Sequence, residues 1–281
     1  MVIFDGKKLA DKILIGLKNE IDPWPKKPNL AVVSFGRKEE NSSYIIQKRK
    51  TAEFLGLGFQ HYHYSNEAVS NEREYLNKIA GMEKNSAVVV QLPLAEGINY
   101  SILNAIPAEK DPDLLSDKAV GLFFNGRSLV RPPTAAAILM IFDESGIPLR
   151  NKRVALFGYG RLVGRFLTPL LIEKGAVVTV LEKNAPREVV LDISSKADII
   201  VSAVGEPGLI TADMVKDGAA VVDAGFSIVS GKITGDVDFN SVKDKTSFIT
   251  PVPGGVGPVG VAELFANVIE LFKLSNKKQH R

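Results

Sequence analysis

Apolar residues recur at helical spacing over residues 6–21, 41–57 and 71–82. Between these stretches come Asn29-Leu-Ala-Val-Val-Ser34, Phe59-Gln-His-Tyr-His-Tyr64 and Ala87-Val-Val-Val-Gln91. A period near 3.6 reads as helix, and short runs rich in valine or alternating in polarity read as strand. The near-continuous apolar runs suit strands buried on both faces, as in a parallel sheet. A short helix is expected over 100–105. A second series opens with a helix at 134–145 and the strand Arg153-Val-Ala-Leu-Phe157, which runs into Gly158-Tyr-Gly-Arg-Leu-Val-Gly164 and an apolar helix to 174. Buried strands are expected at 177–181, 199–203 and 220–223, a dinucleotide-binding arrangement. The fold class is therefore α/β, with a first domain formed by 1–120 and 260–281 and a Rossmann-like domain over 121–259. The last helix, 261–274, follows the completed second series and is expected to pack back on the first domain.

The chain has 281 residues, 45% of them hydrophobic, enough to fill two modest cores. Its net charge of +3 comes from 35 basic and 32 acidic residues that are interspersed, so no basic stripe calls for nucleic acid. The absence of cysteine excludes disulfides, thiolate metal sites and a cysteine nucleophile. The three histidines, His61, His63 and His280, are few for a metal enzyme, and the first two lie on one face of a strand. No metal is expected. With no apolar run near the ~18 residues of a membrane span and no signal-like start, a cytoplasmic location is expected and no membrane partner.

Several positions suit chemistry. Gly158 and Gly160 stand at a strand-to-helix junction, where they allow a tight turn and the approach of a pyrophosphate; Gly164 lets helix and sheet pack closely. Glu182 lies 22 residues after Gly160, where a carboxylate accepts bonds from ribose hydroxyls and repels a 2′-phosphate. That favours NAD, although Arg161 or Lys183 offers a cation to NADP. Tyr44 and Lys48 are four apart in a helical stretch and share a face. Gln91 puts a polar tip at the carboxyl end of an apolar strand, where parallel sheets place ligands. Asp111-Pro-Asp113 suits either a turn or a site. The stretch over 250–258 holds three prolines and three glycines. Such residues exclude helix and central strand and predict a shaped loop before a helix.

The chain resembles the bifunctional methylenetetrahydrofolate dehydrogenase/cyclohydrolase family. The likeness is carried by Ser42-Ser-Tyr-Ile-Ile-Gln-Lys-Arg-Lys50, Gln91-Leu-Pro-Leu94, Glu109-Lys-Asp-Pro-Asp113, Pro132-Pro-Thr134, Gly158 to Gly164, Gly235-Asp-Val-Asp238 and Pro251-Val-Pro-Gly-Gly-Val-Gly-Pro258. It implies a catalytic domain and a cofactor domain flanking a cleft, a small folate substrate and a homodimer. Lys48 matches the family's catalytic lysine, Tyr44 the ring that stacks on folate, Gln91 the lysine's partner and Asp113 the pterin anchor. Leu92, Pro253, Gly254, Gly255 and Gly257 are expected at the substrate. Gly158, Tyr159, Gly160, Arg161, Leu162, Val163, Glu182, Lys183, Ala203 and Val204 are expected at NAD or NADP. Departures from the family pattern are Tyr159-Gly160 for Arg-Ser, Glu182-Lys183 for His-Ser, Leu114 for glycine, Pro133 for cysteine and Val259-Gly260 for Met-Thr. The first two strengthen the preference for NAD.

The expected activity is oxidation of methylenetetrahydrofolate by a nicotinamide, then hydrolysis of the methenyl product to formyltetrahydrofolate. A shikimate-type dehydrogenase shares the domain plan but gives no account of Tyr44, the Gln91 segment and the late loop together. An NAD-sensing protein without turnover gives none of the Tyr44, Lys48 and Gln91 constellation.

Overall fold

The computed structural model describes residues 1–36, 43–65 and 71–279. Numbered in chain order, its first elements are β1 (Val2–Ile3), α1 (Gly6–Ile21), β2 (Asn29–Phe35), α2 (Ser43–Leu55), β3 (Gly58–Tyr64), α3 (Glu72–Gly81), β4 (Ala87–Val90) and α4 (Asp117–Phe124). There follow α5 (Pro133–Glu144), β5 (Arg153–Phe157), α6 (Gly164–Glu173), β6 (Val177–Leu181), α7 (Arg187–Ser194), β7 (Ile199–Ser202) and β8 (Ala220–Asp223). The last are β9 (Ser227–Val229), β10 (Lys232–Thr234), α8 (Phe239–Val242), β11 (Phe248–Ile249) and α9 (Val256–Gln279). Part of the helix expected over 41–57 lies outside the described residues.

The chain divides into two compact units, one of Met1–Asp11 with Thr134–Gly260 and one of Lys12–Pro133 with Val261 onward. These limits differ from the expected 1–120/260–281 and 121–259 over residues 1–11, over residues 121–133 and at Gly260. The N-terminus joins the dinucleotide-type unit because β1 pairs in parallel with β11, Val2 opposite Phe248, and Phe4 N–H donates to the Ile249 carbonyl at 2.9 Å. Residues 121–133 stay with the other unit, where Arg131 is tied to Glu263 and Asn267.

In the unit of Lys12–Pro133, β2 lies between β3 and β4, parallel to both. Both faces of β2 are apolar, which is why its sequence does not alternate. Leu30 and Val32 pack with Ile21, Ile45, Ala52, Leu55 and, from α9, Val261, Leu264, Phe265 and Val268. Ala31 and Val33 pack on the other face with Leu76, Ile79, Ile102 and Leu103. The return of the last helix to this unit is thus as expected.

The other unit carries a sheet in the order β1-β11-β8-β7-β5-β6, with every pair parallel. After β5 the chain adds β6 on one side and β7 on the other, so the carboxyl ends of β5 and β7 form a topological switch point, where open α/β sheets bind ligands. One strand departs from expectation. In β6 only Leu181 is buried, because β6 is an edge strand and its outer positions meet no neighbour. A second departure concerns 250–258, expected to be loop throughout: Val256, Gly257 and Pro258 form the first turn of α9. Proline is tolerated there because first-turn N–H groups have no partner within the helix.

Candidate active site

Ile45, Lys48, Ala52 and Leu55 are all buried, and their spacing of three and four makes one stripe of α2. Lys48 therefore sits where the helix would ordinarily carry an aliphatic residue. Its Nζ donates to Gln91 Oε1 at 2.8 Å and lies 5.7 Å from the centre of the Tyr44 ring, one turn earlier. Gln91 directly follows β4, and its N–H donates to the Val33 carbonyl at 2.8 Å, continuing the register past the strand's end. Gln91 Nε2 donates to the Leu92 carbonyl at 2.9 Å. With its NH2 group so engaged, the amide turns its oxygen to the amine.

Burial pushes the Lys48 ammonium below its ordinary range, and the negative charge of Asp113 opposes the shift. The mirror image holds for half-buried Asp113: burial pushes its carboxyl up, and Lys48 opposes this. Burial also pushes the Tyr44 hydroxyl up to about 12, so near neutrality the ring is uncharged and a poor proton donor.

The two acids of Asp111-Pro-Asp113 have separate fates. Asp111 is fully buried and accepts bonds from Leu115 N–H at 3.0 Å, Ser116 N–H at 2.8 Å and Ser116 Oγ at 2.7 Å. Burial outweighs those bonds and raises its pKa to about 6. It shapes the turn, whereas the charge of Asp113 acts on the Lys48 amine. Leu114 keeps the left-handed backbone that a glycine would adopt freely, φ +52°, and its side chain is buried in return.

In the other unit, Gly158 turns with φ +90° and its N–H donates to the Leu181 carbonyl at 2.9 Å. A Cβ on Gly164 would lie 2.0 Å from the Gly158 carbonyl oxygen, whereas one on Gly160 would meet nothing within 4 Å. The turn is closed on the protein side and open at Gly160, which fits a pyrophosphate approaching the backbone. Glu182 Oε1 accepts the Tyr159 N–H at 2.8 Å, which ties the end of β6 to the glycine turn. Lys183 Nζ lies 3.3 Å from Glu206 Oε2, with both side chains exposed. Tyr159 and Leu162 are exposed, Arg161 and Val163 lie in the same turn, and α6 starts at Gly164. At the end of β7, Ala203 N–H donates to the Phe157 carbonyl at 3.0 Å.

Two carboxylates that spacing did not single out hold this region together. Asp236 accepts bonds from Ser202 Oγ at 2.7 Å, Val204 N–H at 2.8 Å and Glu206 N–H at 2.8 Å. Asp223 accepts from the backbone of Gly225, Asp236 and Val237. Burial raises the Asp223 pKa to about 6. A Cβ on Gly235 would lie 2.1 Å from Asp223 Oδ2, so the glycine of Gly235-Asp-Val-Asp238 makes room for that carboxylate. The signal for these two carboxylates in the sequence is the Gly235-Asp-Val-Asp238 motif itself. Pro253, Gly254, Gly255 and Gly257 belong to this unit, where the Gly254 carbonyl accepts the Gly6 N–H at 2.9 Å. The structure thus gathers Tyr44, Lys48, Gln91 and Asp113 in one unit and the glycine turn, Glu182, Val204 and the late loop in the other.

Among the described residues, no group of three or more His, Asp or Glu side chains is placed to hold a metal ion. His61 and His63 lie on edge strand β3, where Ser34 Oγ is 2.9 Å from His61 Nε2 and 3.1 Å from His63 Nδ1. His280 is outside the described residues. No described helix is long and apolar enough to cross a membrane.

Residues 4–113 match the model of the tetrahydrofolate dehydrogenase/cyclohydrolase catalytic domain, and residues 132–276 that of the same family's NAD(P)-binding domain. A bifunctional protein FolD of Aliarcobacter butzleri is 38% identical over 290 residues, covering 100% of both chains. Another, of Caldanaerobacter subterraneus, is 34% identical over 280 residues and 98% of each chain. Among solved structures, the Trypanosoma brucei methylenetetrahydrofolate dehydrogenase-cyclohydrolase, complexed with NADP cofactor and inhibitor, is 33% identical. It superposes with a TM-score of 0.90 over 98% of both chains.

Proposed function

The chain belongs to the tetrahydrofolate dehydrogenase/cyclohydrolase family, and on that premise we propose how its residues divide the two reactions. The protein is an NAD(P)-dependent methylenetetrahydrofolate dehydrogenase and methenyltetrahydrofolate cyclohydrolase. That membership sets aside a shikimate-type dehydrogenase and an NAD sensor without turnover.

Lys48 is the proton-transfer group of the hydrolysis, and the observation that carries this is its buried Nζ held at 2.8 Å by Gln91 Oε1. An amine destabilised as a cation by burial has a substantial neutral fraction nearer working pH than a solvated lysine. As a water oxygen bonds to the methenyl carbon, neutral Lys48 takes the water's proton and a tetrahedral adduct forms. One C–N bond then breaks. Lys48 returns the proton to the released nitrogen, while the adduct's hydroxyl proton passes to solvent as the formyl carbonyl forms. Gln91 orients the amine throughout. Tyr44 stacks on the folate rather than acting as an acid, in keeping with its raised pKa. Asp113 accepts hydrogen bonds from the pterin, and Leu92 lines the substrate.

A bound nicotinamide supplies the hydride acceptor for the oxidation. Gly158, Tyr159, Gly160, Arg161, Leu162 and Val163 would hold its pyrophosphate half, with Ala203 and Val204 at the neighbouring strand end. NAD is the preferred dinucleotide. Glu182 is fixed by the Tyr159 amide, its second oxygen would accept hydrogen bonds from ribose hydroxyls, and a 2′-phosphate would face its charge. Lys183 is engaged by Glu206. The active form is a homodimer, which sedimentation equilibrium would test.

The direct experiment supplies methylenetetrahydrofolate with NAD or NADP and follows dinucleotide reduction together with the rise and decay of the methenyl absorbance. Both phases are expected, with the higher kcat/KM for NAD. Reduction without decay would overturn the hydrolytic role of the Lys48 site, and a higher kcat/KM for NADP would overturn the reading of Glu182.

A further inference from the structure

We propose that Asn267, on α9, is the positioning residue for Asp113: its side-chain amide fixes the peptide plane that carries Asp113, the acid whose charge acts on Lys48. The inference rests on the reading of Lys48 and Asp113 given above and adds a residue that takes no part in the chemistry itself.

Asn267 is buried, and its Nδ2 donates to two backbone carbonyls, that of Pro112 at 2.8 Å and that of Arg131 at 2.6 Å. Both hydrogens of the amide are thereby used. The Pro112 carbonyl and the Asp113 nitrogen belong to one rigid peptide unit, so holding that oxygen sets the plane on which Asp113 hangs. Proline has no N–H with which to anchor this turn from within. Downstream, the turn is held by Asp111 through Leu115 and Ser116; Asn267 supplies the hold at its centre. The second acceptor is itself secured, since Arg131 Nη2 pairs with Glu263 Oε2 at 2.9 Å. Neighbouring Val268 belongs to the apolar core. An aliphatic side chain at 267 would satisfy a core-facing helix at less desolvation cost, so the buried amide calls for a task.

Displacing Asp113 has a predictable sign. Its charge supports the Lys48 ammonium against burial, while Gln91 and Tyr44 bring no charge near neutrality. Loosening the turn therefore moves the Lys48-controlled midpoint of the pH profile downward, whichever limb reports it. A residue that merely stabilised the fold would lower Tm and leave the midpoint in place.

The test compares the parent, Asn267→Ala, Val268→Ala and Lys48→Met by Tm, dinucleotide binding and the pH dependence of methenyltetrahydrofolate hydrolysis. Asn267→Ala is expected to lower the midpoint by about 0.5 unit or more and kcat roughly tenfold, with dinucleotide binding unchanged. Val268→Ala is expected to lose Tm without moving the midpoint. If Asn267→Ala does not fold, Asn267→Ser, a shorter donor, is measured in its place with the same expectation. A parent-like pH profile in the folded Asn267 variant, with Lys48→Met inactive, would overturn the Asn267 inference alone. Parent-rate hydrolysis by Lys48→Met would overturn the reading of the site beneath it.

Discussion

The two ligand-binding regions are built from opposite materials. Around Lys48 the working groups are side chains: a buried amine, an amide that bonds to it, and a carboxylate and an amine that oppose each other's displacement by burial. Around Gly158 the decisive features are backbone: a positive φ, a Gly164 on which a Cβ would lie 2.0 Å from the Gly158 carbonyl oxygen, and N–H groups held by Glu182 and Asp236. The first region alters the proton affinity of its own groups, and the second shapes a surface against which a ligand lies. Substitution should therefore act differently in each, on rate in one and on dinucleotide affinity or selectivity in the other.

The largest expected effect is that of Lys48→Met. Hydrolysis of methenyltetrahydrofolate should fall by roughly 10²–10⁴-fold, the usual range for a general acid–base group, while equilibrium binding of the dinucleotide stays at the parent value. Loss of both would erase the contrast between the regions. Gly164→Ala should do the reverse: its methyl would press on the Gly158 carbonyl and cost about 1–3 kcal/mol of strain. Calorimetry should find the dinucleotide weakened with hydrolysis by the Lys48 site retained.

A smaller change is expected at Glu182. Glu182→Ser should narrow the preference for NAD by roughly tenfold, about 1.4 kcal/mol, and adding Tyr159→Arg should carry it toward NADP through a charge-assisted contact. The ratio of kcat/KM for the two dinucleotides reads this directly, and an unchanged ratio would show that Glu182 does not select. The smallest effect is at Tyr44. Stacking contributes about 0.5–1.5 kcal/mol beyond area burial, so Tyr44→Ala should weaken folate binding by up to roughly tenfold and Tyr44→Phe should leave it nearly intact. Equal losses in both would assign the work to the hydroxyl.

How far each region was legible in the sequence follows from the same contrast. The spacing of Tyr44 and Lys48 already put them on one helix face, and Gln91 announced itself as a polar tip on an apolar run. What spacing did not yield was that Lys48 lies within the buried stripe of α2, because a lysine flanked by Arg49 and Lys50 looks solvated until Ile45, Ala52 and Leu55 are known to face inward. The glycine turn was legible from its junction of strand and helix. Asp223, Asp236 and Asn267 were not, since, apart from Gly225 beside Asp223, their partners lie 13 to 155 residues away, and no local period encodes such a distance. The pairing of β1 with β11 was hidden for a related reason: two-residue strands carry no period at all. The proline of the late loop misled because a residue that ends helices also begins them.

Burial displaces the Lys48 amine toward neutrality while Gln91 holds it in place. An NMR titration of protein labelled with 13C at lysine Cε tests it most directly, with the Lys48 signal assigned by its disappearance in Lys48→Met. The Lys48 midpoint is expected below those of the exposed lysines, and lower still in Asp113→Asn, where the opposing charge is gone. A Lys48 signal that titrates together with the exposed lysines, unmoved by Asp113→Asn, would contradict it.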